Sequence, residues 1–265
     1  MPRLMGILNA TPDSFYPNSR FADLASAIRR GIEIYEEGAD MIDIGGESTR
    51  PNATYVAVEE ELNRVIPLIK ALKAAVPLPL SIDTSKPVVA EAAINAGATF
   101  INDVTGFANS AMQNLAASSG LEICVMHMQG TPQTMQNHPV YPEGIMAHLL
   151  QWFKVRIDQL LKAGVKKEQI ILDPGIGFGK TVADNLEIIQ NLQVLKTIGF
   201  PILLGVSRKS FLAKILHKPT IDLLPGTLSV NTMALKAGVD ILRGHDVKEH
   251  RDIINITNCL QKKYA

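Results

Sequence analysis

Residues 78–103 read LPLSIDTSKPVVAEAAINAGATFIND, and this stretch decides the fold. An apolar run from Leu78 to Ile82 stops at Asp83. A helical pattern follows from Pro87 to Asn95, opened by proline and ended before Gly97, the usual punctuation of a helix. A second apolar run, Thr99-Phe100-Ile101, stops at Asn102-Asp103. Strand, helix and strand in so short a span predict a βαβ unit with parallel strands.

The same unit recurs in both directions. Upstream, Leu4 to Leu8 ends at Asn9, and Met41-Ile42 leads through Asp43-Ile44 into the loop Gly45 to Pro51. Downstream, Ile123 to Met126 ends at His127, and Ile170-Ile171-Leu172 ends at Asp173. Pro201 to Gly205 runs into Ser207-Arg208-Lys209-Ser210, and Ile241-Leu242 ends at Arg243-Gly244-His245. Helical patterns fill the intervals: Phe21 to Glu37, Val56 to Ala75, Ser110 to Ser119, Pro142 to Ala163, Val182 to Thr197, Leu223 to Ala237 and Asp246 to Lys262. Eight strands that each end in polar chemistry predict an α/β chain, a single (β/α)8 TIM barrel over 1–265, because a closed parallel barrel gathers those ends on one face. A doubly wound open sheet would place its ligand at a single switch point, and polar residues after nearly every strand fit closure better. The loops after strands 1 and 2, Thr11 to Arg20 and Gly45 to Tyr55, are long and read as lids.

Composition narrows the function. Lysine plus arginine equals aspartate plus glutamate, 26 each, so no overall field draws the chain to nucleic acid or to an anionic membrane. Two cysteines, Cys124 and Cys259, make no disulfide framework and no paired-cysteine metal site. No apolar run is long enough to span a membrane, and no signal peptide precedes the first strand, so a cytoplasmic enzyme is expected.

The strand ends carry the chemistry. Asp83, Asn102, Asp173 and Lys209 form a set suited to a 2-amino-4-oxopyrimidine. A carboxylate accepts its adjacent N–H donors in pairs, asparagine donates and accepts on one edge, and lysine serves a ring carbonyl. Several buried charges at one mouth imply mutual pairing or a ligand. Arg50, Arg243 and His245 are candidates for a polyanion, since arginine grips phosphate with a fork and barrels bind phosphate near their last strands. Asn9, beside Asp13, could hold Mg²⁺ together with substrate phosphates, or could be a turn residue before Thr11-Pro12. The run Asp173 to Lys180 looks like a phosphate loop but fails the pattern, because Pro174 and Lys180 stand where glycines are required. What remains is a carboxylate, a tight glycine turn and Phe178 held between glycines.

Asn9-Ala10-Thr11-Pro12-Asp13-Ser14-Phe15, Gly45 to Pro51, Ser81 to Thr84, Ile101 to Asp103, Met126 to Gly130, Asp173 to Lys180, Ser207 to Ser210 and Arg243 to His245 together resemble dihydropteroate synthase, from the first strand to the last. The resemblance implies a (β/α)8 barrel that joins p-aminobenzoate to 7,8-dihydropterin-6-ylmethyl diphosphate, with sulfonamides as inhibitors and a homodimer built on late helices. It implies that Asp83, Asn102, Asp173 and Lys209 hold the pterin, in a slot lined by Val104, Met126, Phe178 and Gly205. Asn9, Arg243 and His245 would bind diphosphate, with Mg²⁺ at Asn9. Thr49, Arg50, Pro51, Phe178, Lys209 and Ser210 would surround p-aminobenzoate. The catalytic set would be Asp83, Asp173, Lys209, Arg243 and His245. Two departures stand out. Tyr16-Pro17-Asn18-Ser19 replaces the family's Ser-Asp-Gly-Gly, which removes an acid and stiffens the loop, and Asn52 stands where glycine is common. A pterin-dependent methyltransferase on the same barrel and a non-catalytic pterin-binding scaffold are the rival readings.

Overall fold

The computed structural model describes residues 1–10, 20–50 and 53–261, with side chains in the first helix described from residue 24 onward. The strands are β1 (Arg3–Asn9), β2 (Met41–Gly45), β3 (Leu80–Asp83), β4 (Phe100–Asp103), β5 (Glu122–Met126), β6 (Ile170–Asp173), β7 (Leu203–Leu204) and β8 (Ile241–Gly244). The helices are α1 (Arg20–Glu36), α2 (Val58–Ala75), α3 (Pro87–Ala96), α4 (Ser110–Ser119), α5 (Ile145–Lys162), α6 (Val182–Gln190), α7 (Leu192–Lys196), α8 (Ser210–Leu216), α9 (Leu224–Lys236) and α10 (Val247–Gln261). The strands follow one another in parallel, with β1 between β2 and β8. A bridge between Leu172 and Ile202 joins β6 to the β7 side and closes the barrel. The expected (β/α)8 architecture is therefore the one observed.

Strand periodicity organises the core. Leu4, Leu8, Ile42, Ile44, Leu80, Ile82, Ile101, Ile123, Val125, Leu172, Leu204 and Leu242 point outward and are buried against the helices. The alternate residues point inward. Met5, Met41, Phe100, Cys124, Ile171, Leu203 and Ile241 fill the lower interior as a separate apolar cluster. Two residues further along the same inward rows stand Asp43, Asn102, Met126, Asp173, Gly205 and Arg243. The period of two thus places an apolar plug below and a polar layer above it.

Three local differences from the sequence expectation have physical causes. The helical pattern over 182–197 splits at Asn191, whose φ of −113° and ψ of 23° leave the helical region. A short helix, α8, starts directly after Lys209, because the polar Ser207–Ser210 run hid its beginning. β7 is only two residues long. The Ile202 N–H donates to the Asp240 carboxylate at 2.7 Å instead of to a strand, which shortens the expected run.

Candidate active site

The polar layer is built around a residue that the strand-end pattern missed. Asp43 is fully buried and receives Ser81 Oγ at 2.5 Å, Asn102 Nδ2 at 3.0 Å and Arg243 Nε at 2.6 Å. Arg243 continues across the barrel, and its Nη2 donates to Asp83 Oδ2 at 2.7 Å. One guanidinium therefore bridges two buried carboxylates, the pairing that such charges require. Asp43 takes one N–H of the Asn102 amide, which keeps a second N–H and its carbonyl oxygen. Asp83 Oδ1 is buried and has no partner among the described residues. An unsatisfied buried carboxylate oxygen is costly, so it marks a place for a donor.

Asp173 closes the other side. Its Oδ1 accepts the Gly175 N–H at 2.7 Å, which fixes the carboxylate at the start of the glycine turn. Gly175 has φ +68°, and a Cβ there would lie 1.9 Å from the His127 carbonyl oxygen, so only glycine lets the turn pass. Lys180 locks the turn by donating to the carbonyls of Gly175 and Phe178, each at 2.9 Å, and to His127 Nδ1 at 2.9 Å. The turn delivers Phe178 over the Lys209 ammonium, which lies 3.9 Å from the ring centroid. Phe178, Val104, Met126 and Met135 form one apolar cluster beside these charges.

Burial sets the electrostatics. It raises Asp83 to about 7, against the lowering influence of Arg243. Burial lowers Lys209 to about 7, with Asp173 opposing it. Burial raises Asp173 as well, while the Gly175 N–H and Lys209 hold it down. Burial and then Arg243 lower His245 to about 4, so this imidazole is neutral near pH 7. Shifted carboxylates and amines gathered at one barrel mouth are the signature of a functional site.

A cavity of about 810 Å³ opens over this layer, a volume that suits small-molecule substrates. Asp83, Arg243, Phe178 and Lys209 line it. Asn9, Thr49, Arg50, Ser210 and His245 also line it, whereas Asn102, Val104, Met126, Asp173 and Gly205 are not among its lining residues. The β2 loop is stapled at its stem. Glu47 Oε1 accepts the Val56 N–H at 2.9 Å, and Lys86 joins Glu47 to the fully buried Glu61, 2.5 Å from its Nζ. Arg64 Nη1 also donates to the Gly46 carbonyl at 2.7 Å.

Most of the expected site residues therefore share one place. Asp83, Asn102 and Arg243 are joined through Asp43 and its bridging guanidinium, Val104, Met126 and Phe178 share one apolar cluster with Lys209 against the Phe178 ring, and Asp173 feels the charges of Lys209 and Arg243. Gly205 lies in the same inward row, where a Cβ would approach Arg243 Cβ to 3.8 Å. Arg243 differs in detail from the expectation: it was assigned to the anion alone, and it also grips the Asp83 carboxylate. Pro51, Asp13, Tyr16, Pro17, Asn18, Ser19 and Asn52 lie outside the described residues. Residues that sequence reasoning missed are Asp43, Met135 on the loop after β5, and the Glu47–Lys86–Glu61 staple.

A family model described as pterin binding enzyme matches residues 5–245. The dihydropteroate synthase of Haemophilus influenzae is 42% identical over 256 residues, covering 97% of this chain and 93% of that protein. The Yersinia pestis dihydropteroate synthase, solved with a sulfonamide drug complex, superposes with a TM-score of 0.93 at 39% identity, covering 98% of this chain and 94% of that one. The Xanthomonas albilineans enzyme, solved with 4-aminobenzoic acid, gives 0.92 at 38% identity, covering 99% and 94%.

Proposed function

Since the chain belongs to the pterin-binding enzymes, as one of the dihydropteroate synthases, we propose that its cavity takes the dihydropterin diphosphate with the pterin against the polar layer and the diphosphate outward. The enzyme is a transferase that condenses this diphosphate with p-aminobenzoate to give 7,8-dihydropteroate and diphosphate. The buried, unpartnered Asp83 Oδ1 carries the placement, because the adjacent amino and ring N–H groups of a pterin supply the donors that this carboxylate lacks. Asn102 and Asp173 serve the remaining edge, and Lys209 serves the ring carbonyl. Phe178, Val104, Met126 and Met135 cover the flat faces. p-Aminobenzoate lies toward Thr49, Arg50 and Ser210, beneath the β2 loop.

Arg243 offsets charge on the leaving diphosphate and the neutral His245 donates a hydrogen bond to it as its carbon–oxygen bond breaks and the electron pair moves onto oxygen. The positive charge left on the pterin methylene is stabilised by Asp83 and Asp173. The aniline nitrogen then forms the new bond with its lone pair and releases a proton. Such a cation would be trapped by water, which gives loops that cover the cavity a purpose. The cavity residues fit Mg²⁺ in its usual regime. Asn9 offers an oxygen, the described residues hold no cluster of three or more His, Cys, Asp or Glu side chains, and Mg²⁺ is commonly held by few protein ligands and substrate phosphates. When bound there, it would withdraw charge from the diphosphate.

A methyltransferase reading would use the pterin residues alone. The convergence of Arg50, Ser210, Arg243 and His245 on the same cavity favours the synthase. Two further proposals accompany this reading. Free Cys124 and Cys259 support the cytoplasm, where thiols stay reduced. Met233 on α9 and Ile256 and Leu260 on α10 are strongly exposed, which supports a homodimer through these helices; a monomeric mass in solution would count against it.

The decisive experiment measures dihydropteroate formation against free Mg²⁺. Wild-type turnover is expected to need Mg²⁺, and Asn9→Ala to raise the Mg²⁺ requirement roughly tenfold or more. Full turnover in excess chelator, or an Asn9→Ala enzyme with an unchanged Mg²⁺ dependence, would contradict the placement.

A further inference from the structure

The segments after β7 and β8 are tied side by side at the anion end of the cavity. Ser207 Oγ lies 2.9 Å from His245 Nδ1 and accepts the His245 backbone N–H at 3.2 Å. One residue on, Arg208 grips Asp246 with a fork, Nε to Oδ2 at 3.0 Å and Nη2 to Oδ1 at 2.5 Å. Arg208 has φ +56°, in the left-handed region, where a non-glycine residue costs on the order of 1 kcal/mol. Its N–H donates to Thr227 Oγ1 at 3.1 Å, and with the Asp246 pair this holds the unfavourable turn in place. A turn held in this way keeps Ser207 against the His245 ring.

We propose that Ser207 is a positioning residue that sets the tautomer of His245, so that a neutral imidazole presents an Nε2–H donor to the anionic end of the substrate. The proposal rests on the reading of His245 as a diphosphate residue. Ser207 is only 6% exposed, and one of its lone pairs already takes the His245 backbone N–H. Its hydroxyl hydrogen needs an acceptor, and among the described residues His245 Nδ1 is the one within reach. A hydroxyl that donates to Nδ1 leaves the ring hydrogen on Nε2. His245 lines the cavity, and no described residue bonds to its Nε2. The lowered pKa agrees with a neutral ring in the ligand-free enzyme. Such a donor stabilises charge growing on the diphosphate oxygen and keeps its hydrogen, so it needs no recharging between turnovers.

The test uses the full chain with ¹⁵N-labelled histidine and long-range ¹H–¹⁵N NMR, the His245 signals being assigned by their loss in His245→Gln. In ligand-free wild type, Nδ1 is expected to resonate as an unprotonated nitrogen and Nε2 as a protonated one. Ser207→Ala is expected to mix the tautomers and lower kcat about tenfold with KM for p-aminobenzoate unchanged, and Ser207→Thr to restore both. A protonated Nδ1 in wild type, or wild-type shifts in Ser207→Ala, would overturn the proposal even if the enzyme makes dihydropteroate normally. Adding inorganic diphosphate separates the underlying reading: an unmoved Nε2 signal would remove the anion from His245 while the tautomer assignment stood.

Discussion

Replacing Arg243 with methionine is expected to damage stability and turnover together. The guanidinium bridges Asp43, which is fully buried, and Asp83, which is 8% exposed. Its removal leaves two carboxylates facing each other in the barrel interior. Breaking a buried pair in this way costs about 3–5 kcal/mol, because two buried carboxylates lose their shared cation and Asp43 keeps only the neutral donors Ser81 and Asn102. Urea unfolding reads that loss directly. Turnover falls by roughly a thousandfold, since the cation that meets the leaving diphosphate is gone. Adding Asp43→Asn to the same chain removes one of the stranded charges. It is expected to recover part of the stability and none of the turnover. A double variant that regains activity would show that Arg243 acts through the fold alone.

Lys209→Ala is expected to remove most of the turnover and to change the pH profile in a defined direction. The Asp83 carboxylate must be ionised to accept pterin N–H groups, and burial raises it to about 7. kcat/KM for the pterin substrate therefore rises with pH through about 7. The Lys209 amine must be protonated to serve the ring carbonyl, and burial lowers it to about 7. kcat/KM therefore falls again as pH rises beyond about 7, giving a bell with its maximum near neutrality. In Lys209→Ala the rate drops roughly a hundredfold. Its alkaline limb disappears, and the residual rate rises with pH to a plateau. An alkaline limb that survives the substitution would assign that limb to another group.

The fold was readable because each strand ended where its chemistry began. Asp83, Asn102 and Asp173 each close a short apolar run, and the barrel rule converts those ends into a site. Asp43 escaped because it sits inside its strand, between Ile42 and Ile44, and so reads as an interruption. The period-two row that runs from Met41 to Asp43, as from Phe100 to Asn102 and Ile171 to Asp173, is the signal that could have found it. Met135 and the Glu47–Lys86–Glu61 staple carry no such signal, because their contacts join segments far apart in the chain. Arg243 stands at the strand end where the sequence puts it, and the structure adds a bridge to two carboxylates. Its pairing with two carboxylates depends on the barrel diameter, which no local pattern records. The break at Asn191 shows the same limit, since a continuous apolar period extends across a backbone that leaves the helix.

The account holds that Arg243 and His245 let the diphosphate depart before p-aminobenzoate attacks. Positional isotope exchange tests this most directly. The dihydropterin diphosphate is labelled with ¹⁸O at the oxygen that bridges carbon and phosphorus, and is incubated with enzyme and Mg²⁺ in the absence of p-aminobenzoate. Movement of the label into non-bridging positions, lost in Arg243→Met, is the predicted result, because a freed diphosphate rotates before it recombines. A label that stays in the bridge while the same enzyme turns over normally with p-aminobenzoate would contradict departure before attack.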